Sequence, residues 1–187
     1  KGFFPSKSSN MLTGEATPCY IYHPEVSGRI SKDLPKVKII ILLRNPIDRA
    51  YSHFKMEVRR GKESNLNFSE ALNLEGQRMA DLSIGTKRDK LKSWKNNQIY
   101  SYATRGLYSE QVQNWVTNFD KDQILFLKSE EFFSEPQKIL NEVCDFIGIE
   151  HFVPKTLKPR NVGSREQIPE DARLFLENFY EADSKKL

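Results

Sequence analysis

Arg44 and Ser52 are the two side chains whose type and spacing best indicate a binding site for an anion. Arg44 directly follows an apolar run at 39–43, and Asn45 and Pro46 then begin an amphipathic helix. The N–H groups and the dipole at the start of a helix attract an anion, and a guanidinium can donate two parallel hydrogen bonds to a phosphate. Ser52 lies on the same helical stripe as Asn45, so its hydroxyl can reach the same ligand. The spacing therefore predicts an anion site, although composition alone favours a capped helix beside a solvated arginine.

A second candidate for anion binding is the basic segment 155–166, in which lysines and arginines are interspersed with Pro and Gly. Backbone N–H groups and cationic side chains in such a segment can close over a phosphate. An exposed basic loop without a ligand is the alternative interpretation.

The elements that must position these residues follow from the hydrophobic pattern. The β-branched run at 38–43 is typical of a strand buried on both faces, as in a parallel sheet, and 124–127 indicates a second strand. Residues 81–97 are polar and have no clear period, which predicts a surface loop. Helical spacing and capping residues predict helices at 46–60, 67–79, 107–119, 136–147 and 169–180. This alternation predicts an α/β domain, rich in helix, around a short parallel sheet.

Length and composition limit the class of protein. With 187 residues and a net charge of +4, the chain suits one domain with a mild preference for anionic ligands. Two cysteines are too few for a disulfide scaffold, and three histidines without paired spacing predict no metal site. Cys144 and Trp115 fall on apolar helical stripes and are predicted to lie in the core. No apolar run is long enough to predict a membrane span or a signal peptide.

The string R-N-P-I-D-R-A-Y-S-H-F at 44–54 resembles the 3'-phosphate-binding segment of sulfotransferases that use 3'-phosphoadenosine 5'-phosphosulfate (PAPS). Four further segments resemble the family in the same order, at 14–24, 105–115, 123–132 and 136–149. Together they extend over nearly the whole chain and are most similar to the bacterial and carbohydrate-type branch. The resemblance implies a P-loop-kinase-like fold with three α/β/α layers.

The resemblance also implies site residues and a co-substrate. In the family, the Arg and the Ser of the first segment hold the 3'-phosphate of the nucleotide, and the matching residues here are Arg44 and Ser52. A basic loop that clamps the nucleotide corresponds loosely to Gly163, Ser164 and Arg165. PAPS would be the co-substrate, without a metal. The acceptor would be a hydroxyl or an amine of a carbohydrate or a carrier-bound group, and neither nucleic acid nor a membrane span is expected.

No catalytic base can be assigned from these segments. Sulfuryl transfer needs a group that takes the proton of the acceptor. Glu15 is the best supporting candidate, and His23 and His53 are the other visible ones. A structural role is the favoured alternative for each of the three.

One part of the family pattern has no counterpart in this chain. Sulfotransferases carry, near the amino end, a strand and a Lys-containing Gly-Thr-Thr or Gly-Thr-Ser loop that wraps the 5'-phosphosulfate. The glycines here never lie close enough together for such a loop. We therefore expect residues 1–187 to be a single sulfotransferase domain that is incomplete at the amino end, with true loss of the loop as the alternative. We expect a cytoplasmic location in a bacterium, with the Golgi lumen as the alternative.

Two other classes of function stay open on the sequence. A non-catalytic basic module for an acidic glycan or nucleic acid would bind in a salt-dependent manner and ignore nucleotides. A P-loop nucleotide kinase would need a Walker-type loop and carboxylates for magnesium.

Overall fold

The computed structural model describes residues 12–63, 67–79, 87–157 and 166–187 of the chain. Its helices and strands follow one another as α1 (Val26–Asp33), β1 (Ile39–Leu43), α2 (Pro46–Arg59), α3 (Phe68–Arg78), α4 (Lys87–Tyr100), α5 (Tyr108–Asn118), β2 (Ile124–Lys128), α6 (Ser129–Ser134), α7 (Pro136–Ile147) and α8 (Glu170–Ser184). Short 3-10 turns at Thr104–Gly106 and Lys121–Gln123 precede α5 and β2.

Strands β1 and β2 form a parallel pair. Their register pairs Ile39 with Ile124 and Leu43 with Lys128, so both strands end at the same edge of the sheet. At that edge β1 continues through Arg44 into α2, and β2 continues directly into α6. The predicted α/β class with a short parallel sheet is confirmed. Arg44 lies at the carboxyl edge, where open parallel sheets present their ligands.

Helices cover both faces of the sheet, but unevenly. On one face, Ile41 and Ile124 pack with Trp115 and Phe119 of α5 in a buried cluster, to which α1 adds partly buried apolar side chains. On the other face, α7 packs over β2, where Leu127 is buried. The strands are therefore layered between helices, as in an α/β/α arrangement.

Strand β1 is not buried on both faces among the described residues, so this part of the prediction is wrong. Ile40 and Leu42 are 42% and 50% exposed, whereas Ile41 between them is 6% exposed. Alternate side chains of a strand point to opposite faces, so Ile40 and Leu42 share the face opposite to Ile41. On that face α7 packs mainly over β2 and leaves these two side chains of β1 exposed.

A second apolar core is formed by helices alone. Phe54 of α2, Phe68 of α3, and Leu176 and Tyr180 of α8 pack in it, and each is at most 8% exposed. This core fixes the rotation of α2 about its axis. It thereby determines where the helical stripe that carries Ser52 is directed.

Helix α2 begins and ends as the sequence predicts. Asn45 is its N-cap and Pro46 is its first residue. After Arg59 the chain turns at Gly61, whose φ of 65° lies in the left-handed region that favours glycine.

Helix α4 replaces most of the surface loop predicted for 81–97, so that prediction is wrong from residue 87 onward. The helix packs against α3, and its Ser93 and Asn97 are each 4% exposed. Because these buried positions are small and polar, no apolar stripe marks the helix in the sequence. The sequence patterns also do not predict the short helix α6.

Two predictions about the core are confirmed. Trp115 is 3% exposed and Cys144 is 1% exposed. Among the described residues, no helix has both the length and the apolar character that a bilayer crossing needs.

Candidate functional site

The anion site that the sequence predicts consists of Arg44 and Ser52, called the Arg44 site below. Arg44 is partly buried between β1 and α2, and Ser52 is exposed nearly two turns along α2. The buried side of α2 carries Ala50, His53 and Phe54, which leaves Ser52 on the solvent side. Within the described part of the chain, neither the Arg44 guanidinium nor the Ser52 hydroxyl has a hydrogen-bond or salt-bridge partner. Both groups can therefore bind a ligand without breaking an internal bond.

The backbone N–H groups at the start of α2 are already occupied. Oδ1 of Asn45 accepts hydrogen bonds from the N–H groups of Ile47 at 2.9 Å and Asp48 at 3.3 Å. The N–H of Asn45 itself donates to Oε1 of Glu130 on α6, at 2.8 Å. An anion at this junction would thus be held by side chains, whereas the sequence pattern predicts that backbone N–H groups take part.

Tyr108 of α5 packs against the same junction. Burial raises the pKa of the Tyr108 hydroxyl, while Arg49 and a hydrogen bond from the Arg44 backbone act to lower it. Asp183 of α8 caps α5, because its Oδ2 accepts hydrogen bonds from the N–H groups of Tyr108 at 2.8 Å and Ser109 at 3.2 Å. Arg44 therefore lies where β1, α5 and α6 meet.

His53 lies on the core side of α2 and has a structural role. It is 6% exposed, and its Nε2 lies 3.1 Å from the carbonyl oxygen of Gln98. Burial, together with the nearby charges of Arg105 and Arg49, lowers the pKa of His53 to about 3. The imidazole is neutral near pH 7 and enclosed by the core. We therefore do not assign His53 to proton transfer.

The other two candidates for a catalytic base lie apart from the Arg44 site in the contacts of the described residues. Glu15 is exposed and accepts a hydrogen bond from the Thr17 hydroxyl. His23 packs edge-on against Trp94 of α4, with ring centroids 4.4 Å apart, and its Nδ1 accepts the N–H of Glu25 at 3.2 Å. These contacts hold His23 as a packing residue and leave Glu15 as an exposed carboxylate.

The residues predicted to clamp the nucleotide lie outside the described part of the chain: Gly163, Ser164 and Arg165. Glu166, which follows them, forms an ion pair with Lys55 of α2, with 2.8 Å between Oε2 and Nζ. Lys55 lies one turn beyond Ser52 on the same side of α2. The carboxyl end of the basic segment is therefore attached next to Ser52, a contact for which the sequence patterns give no signal.

Two other surface features of the described residues do not coincide with the Arg44 site. Two shallow depressions run along α5, and neither is lined by Arg44 or Ser52. In the described ranges, no three His, Cys, Asp or Glu side chains are grouped as metal ligands. The side chains of the Arg44 site, rather than a deep cavity, are the structural evidence for binding.

Comparison with known proteins connects this site to a family. The family model described as "Sulfotransferase domain" matches residues 27–161, a range that includes Arg44, Ser52 and Glu130. The chain belongs to the sulfotransferase family. The resemblance to this family in the sequence is thereby confirmed. The roles assigned to individual site residues, Arg44 and Ser52 included, stay predictions.

Individual sulfotransferases resemble the chain over most of its length. The crystal structure of a sulfotransferase from Alicyclobacillus acidocaldarius has a TM-score of 0.72 at 29% identity, covering 90% of this chain and 60% of that one. Membrane-associated sulfotransferase kil1 of Dictyostelium discoideum is 26% identical over 98% of this chain. Human heparan sulfate glucosamine 3-O-sulfotransferase 3B1 is 29% identical over 82% of it. The chain spans 53% and 35% of these two curated relatives, so it corresponds to only part of each.

Proposed function

We propose that this protein transfers a sulfuryl group from PAPS to a hydroxyl or an amine of a carbohydrate acceptor. The observation that carries the proposal is a pair of unengaged polar side chains, Arg44 at the carboxyl edge of the parallel sheet and Ser52 on the exposed side of α2. Membership of the sulfotransferase family supports sulfuryl transfer as the type of reaction.

Arg44 and Ser52 would distinguish the donor nucleotide by its 3'-phosphate. The planar guanidinium of Arg44 matches two phosphate oxygens, and the Ser52 hydroxyl can donate a third hydrogen bond. The Asn45 side chain and Glu130 already occupy the N–H groups at the start of α2. Recognition of the 3'-phosphate at this junction would therefore depend on these two side chains.

The basic segment that contains Gly163, Ser164 and Arg165 would close over the nucleotide from the side of Ser52. The ion pair between Lys55 and Glu166 supports this arrangement, because it attaches the end of the segment one turn from Ser52.

In the reaction, the acceptor oxygen or nitrogen attacks the sulfur in line with the departing phosphate. The bond between sulfur and the 5'-phosphate oxygen breaks, a new bond forms between sulfur and the acceptor, and the acceptor proton passes to a base. The other product is 3'-phosphoadenosine 5'-phosphate. Arg44 and Ser52 bind and orient the nucleotide and do not touch the transferring sulfur. Glu15 is retained as the candidate for a supporting carboxylate.

A carbohydrate is the acceptor class that the comparisons support best. The human relative is named for sulfation of heparan sulfate glucosamine. Carrier-bound acceptors and the compartment in which the protein works stay predictions from the sequence. The competing proposal is a non-catalytic basic module that binds an acidic glycan or nucleic acid. Binding by such a module would not depend on a donor nucleotide.

A transfer assay with the full-length protein tests the proposal. Radiolabelled PAPS is incubated with heparan sulfate, and the label on the polysaccharide is measured for the unsubstituted protein, Arg44→Ala and Arg59→Ala. Arg59 is an exposed cation at the other end of α2, so it matches Arg44 in charge but not in position. We expect transfer by the unsubstituted protein and by Arg59→Ala, and a loss of transfer in Arg44→Ala. Binding of heparan sulfate that is unaffected by PAPS and by Arg44→Ala, without transfer, would favour the binding module.

A further inference from the structure

Glu130 links the two strand-to-helix junctions at the carboxyl edge of the sheet. The register that pairs Leu43 with Lys128 places the start of α6 beside the start of α2. From the first turn of α6, Oε1 of Glu130 accepts the N–H of Asn45 at 2.8 Å. This N–H belongs to the peptide unit between Arg44 and Asn45. The Glu130 carboxylate therefore fixes the peptide that connects Arg44 to helix α2.

A carboxylate is an unexpected neighbour for a residue that binds an anion, because its charge opposes the ligand. Within the described residues, no cation forms a salt bridge with Glu130. The next residue, Glu131, is instead paired with Lys128 at 3.1 Å. The Glu130 carboxylate thus accepts a hydrogen bond from a backbone N–H and forms no ion pair with a described cation. We therefore attribute its position to this hydrogen bond and not to its charge.

Tyr108 lies beside the same residue. Its side chain is 7% exposed, and both the Arg44 backbone and the charge of Glu130 act on the pKa of its hydroxyl. Side chains from α5 and α6 therefore meet at the Arg44 junction, and the bond from Glu130 holds the peptide unit that follows Arg44. Without this bond, the N–H of Asn45 loses the partner that it has among the described residues.

We propose that Glu130 is a positioning residue for Arg44. Its hydrogen bond to the N–H of Asn45 holds the Arg44 guanidinium in the direction in which it meets the 3'-phosphate. This inference rests on the proposed function and adds to it the residue that sets the geometry of nucleotide recognition.

Three substitutions in the full-length protein separate the hydrogen bond of Glu130 from its charge. Glu130→Asp keeps the charge, but the side chain is one methylene too short for the bond. Glu130→Gln keeps an oxygen acceptor at the same reach and removes the charge. Glu131→Gln is the control, because it removes the same charge from the next residue, which makes no bond to Asn45.

The measurement is the preference for 3'-phosphoadenosine 5'-phosphate over AMP, taken as the ratio of the two Kd values by calorimetry. We expect Glu130→Asp to lower this ratio about five- to tenfold, the size of effect that losing one ordinary hydrogen bond has. Glu130→Gln and Glu131→Gln should keep the ratio of the unsubstituted protein or exceed it.

Three results would overturn the assignment of Glu130. The first is a ratio that Glu130→Asp leaves unchanged. The second is a lower ratio in Glu130→Gln with a normal one in Glu130→Asp, which would indicate a role of charge. The third is an equal loss of affinity for both nucleotides together with a lower Tm, which would show a general structural role. Failure of the proposed function would differ from all three, because the unsubstituted protein itself would then show no preference.

Discussion

Lys55 of α2 and Glu166 form an ion pair of 2.8 Å that attaches the end of the basic segment beside Ser52. The side chain of Lys55 is 16% exposed and that of Glu166 is 66% exposed, so the pair lies at the edge of the protein. The contact brings Glu166, the last residue of the predicted basic segment, next to the helix that carries Ser52.

Breaking this pair should weaken nucleotide binding. We expect Lys55→Met and Glu166→Gln each to lower the affinity for 3'-phosphoadenosine 5'-phosphate about two- to fivefold, because partly exposed ion pairs contribute about 0.2–1 kcal/mol. If the two residues act as one attachment, the double variant should bind the nucleotide no more weakly than the weaker-binding single variant does. Calorimetric titration of the four proteins checks this. Fully additive losses would contradict the attachment and indicate separate roles.

Gly106 should not tolerate a side chain. A Cβ at this position would lie 2.5 Å from the hydroxyl oxygen and 2.7 Å from Cζ of Tyr180. The Tyr180 ring is held in the helical core by a hydrogen bond from its hydroxyl to the carbonyl oxygen of Ala103, at 2.8 Å. We expect Gly106→Ala to lower the free energy of unfolding by about 1–3 kcal/mol, as overpacking does.

Gly76→Ala is the matched control for Gly106→Ala. Gly76 lies within α3, and a Cβ there would meet nothing within 4 Å. Replacing an exposed glycine in a helix by alanine should raise stability by up to about 1 kcal/mol. Urea unfolding of both variants measures the difference. Equal stability of the two variants would show that Tyr180 moves aside and that the close approach is not required.

His53 should make the protein less stable as the pH falls. The folded state lowers the pKa of His53 from 6.5 to about 3, chiefly by burial. Between these values the unfolded chain binds the proton and the folded protein does not, so the stability contribution is complete above pH 6.5 and is lost toward pH 3. We expect this group to remove about 1.4 kcal/mol of stability for each pH unit below 6.5.

His53→Gln removes the titrating group while keeping a donor for the carbonyl of Gln98. Urea unfolding between pH 7 and pH 5 should give a shallower dependence of stability on pH for this variant. The control is His151→Gln, because His151 is exposed and lies 2.7 Å from Asp145 at the surface. The same slope in His53→Gln as in the unsubstituted protein would show that His53 titrates normally.

The sequence predicts best those helices and strands that are determined by residues close together in the chain. Strand β1 and helix α2 follow from a β-branched run, an N-cap at Asn45 and a proline at the first helical position. Helix α4 is missed because its buried positions include Ser93 and Asn97 instead of apolar residues. The exposure of Ile40 and Leu42 is missed for a different reason. A β-branched run indicates that a segment forms a strand, but it does not indicate which helix covers each face of that strand.

The site is predicted less completely than the fold, because its geometry depends on contacts between distant segments. Arg44 and Ser52 are visible in one continuous string. Glu130 reaches Asn45 across 85 positions, and Glu166 reaches Lys55 only after the chain has folded. Such contacts leave no periodic or spacing signal in a single sequence.

Calorimetric titration of 3'-phosphoadenosine 5'-phosphate, with AMP as the reference ligand, tests the central claim most directly. The full-length protein, Arg44→Ala and Arg59→Ala are titrated under the same salt conditions, because phosphate binding depends on ionic strength. We predict that the unsubstituted protein and Arg59→Ala prefer the 3'-phosphorylated nucleotide. Arg44→Ala should lose about ten- to a hundredfold of that preference. Equal affinity of the unsubstituted protein for both nucleotides would contradict the claim that Arg44 and Ser52 recognise the 3'-phosphate.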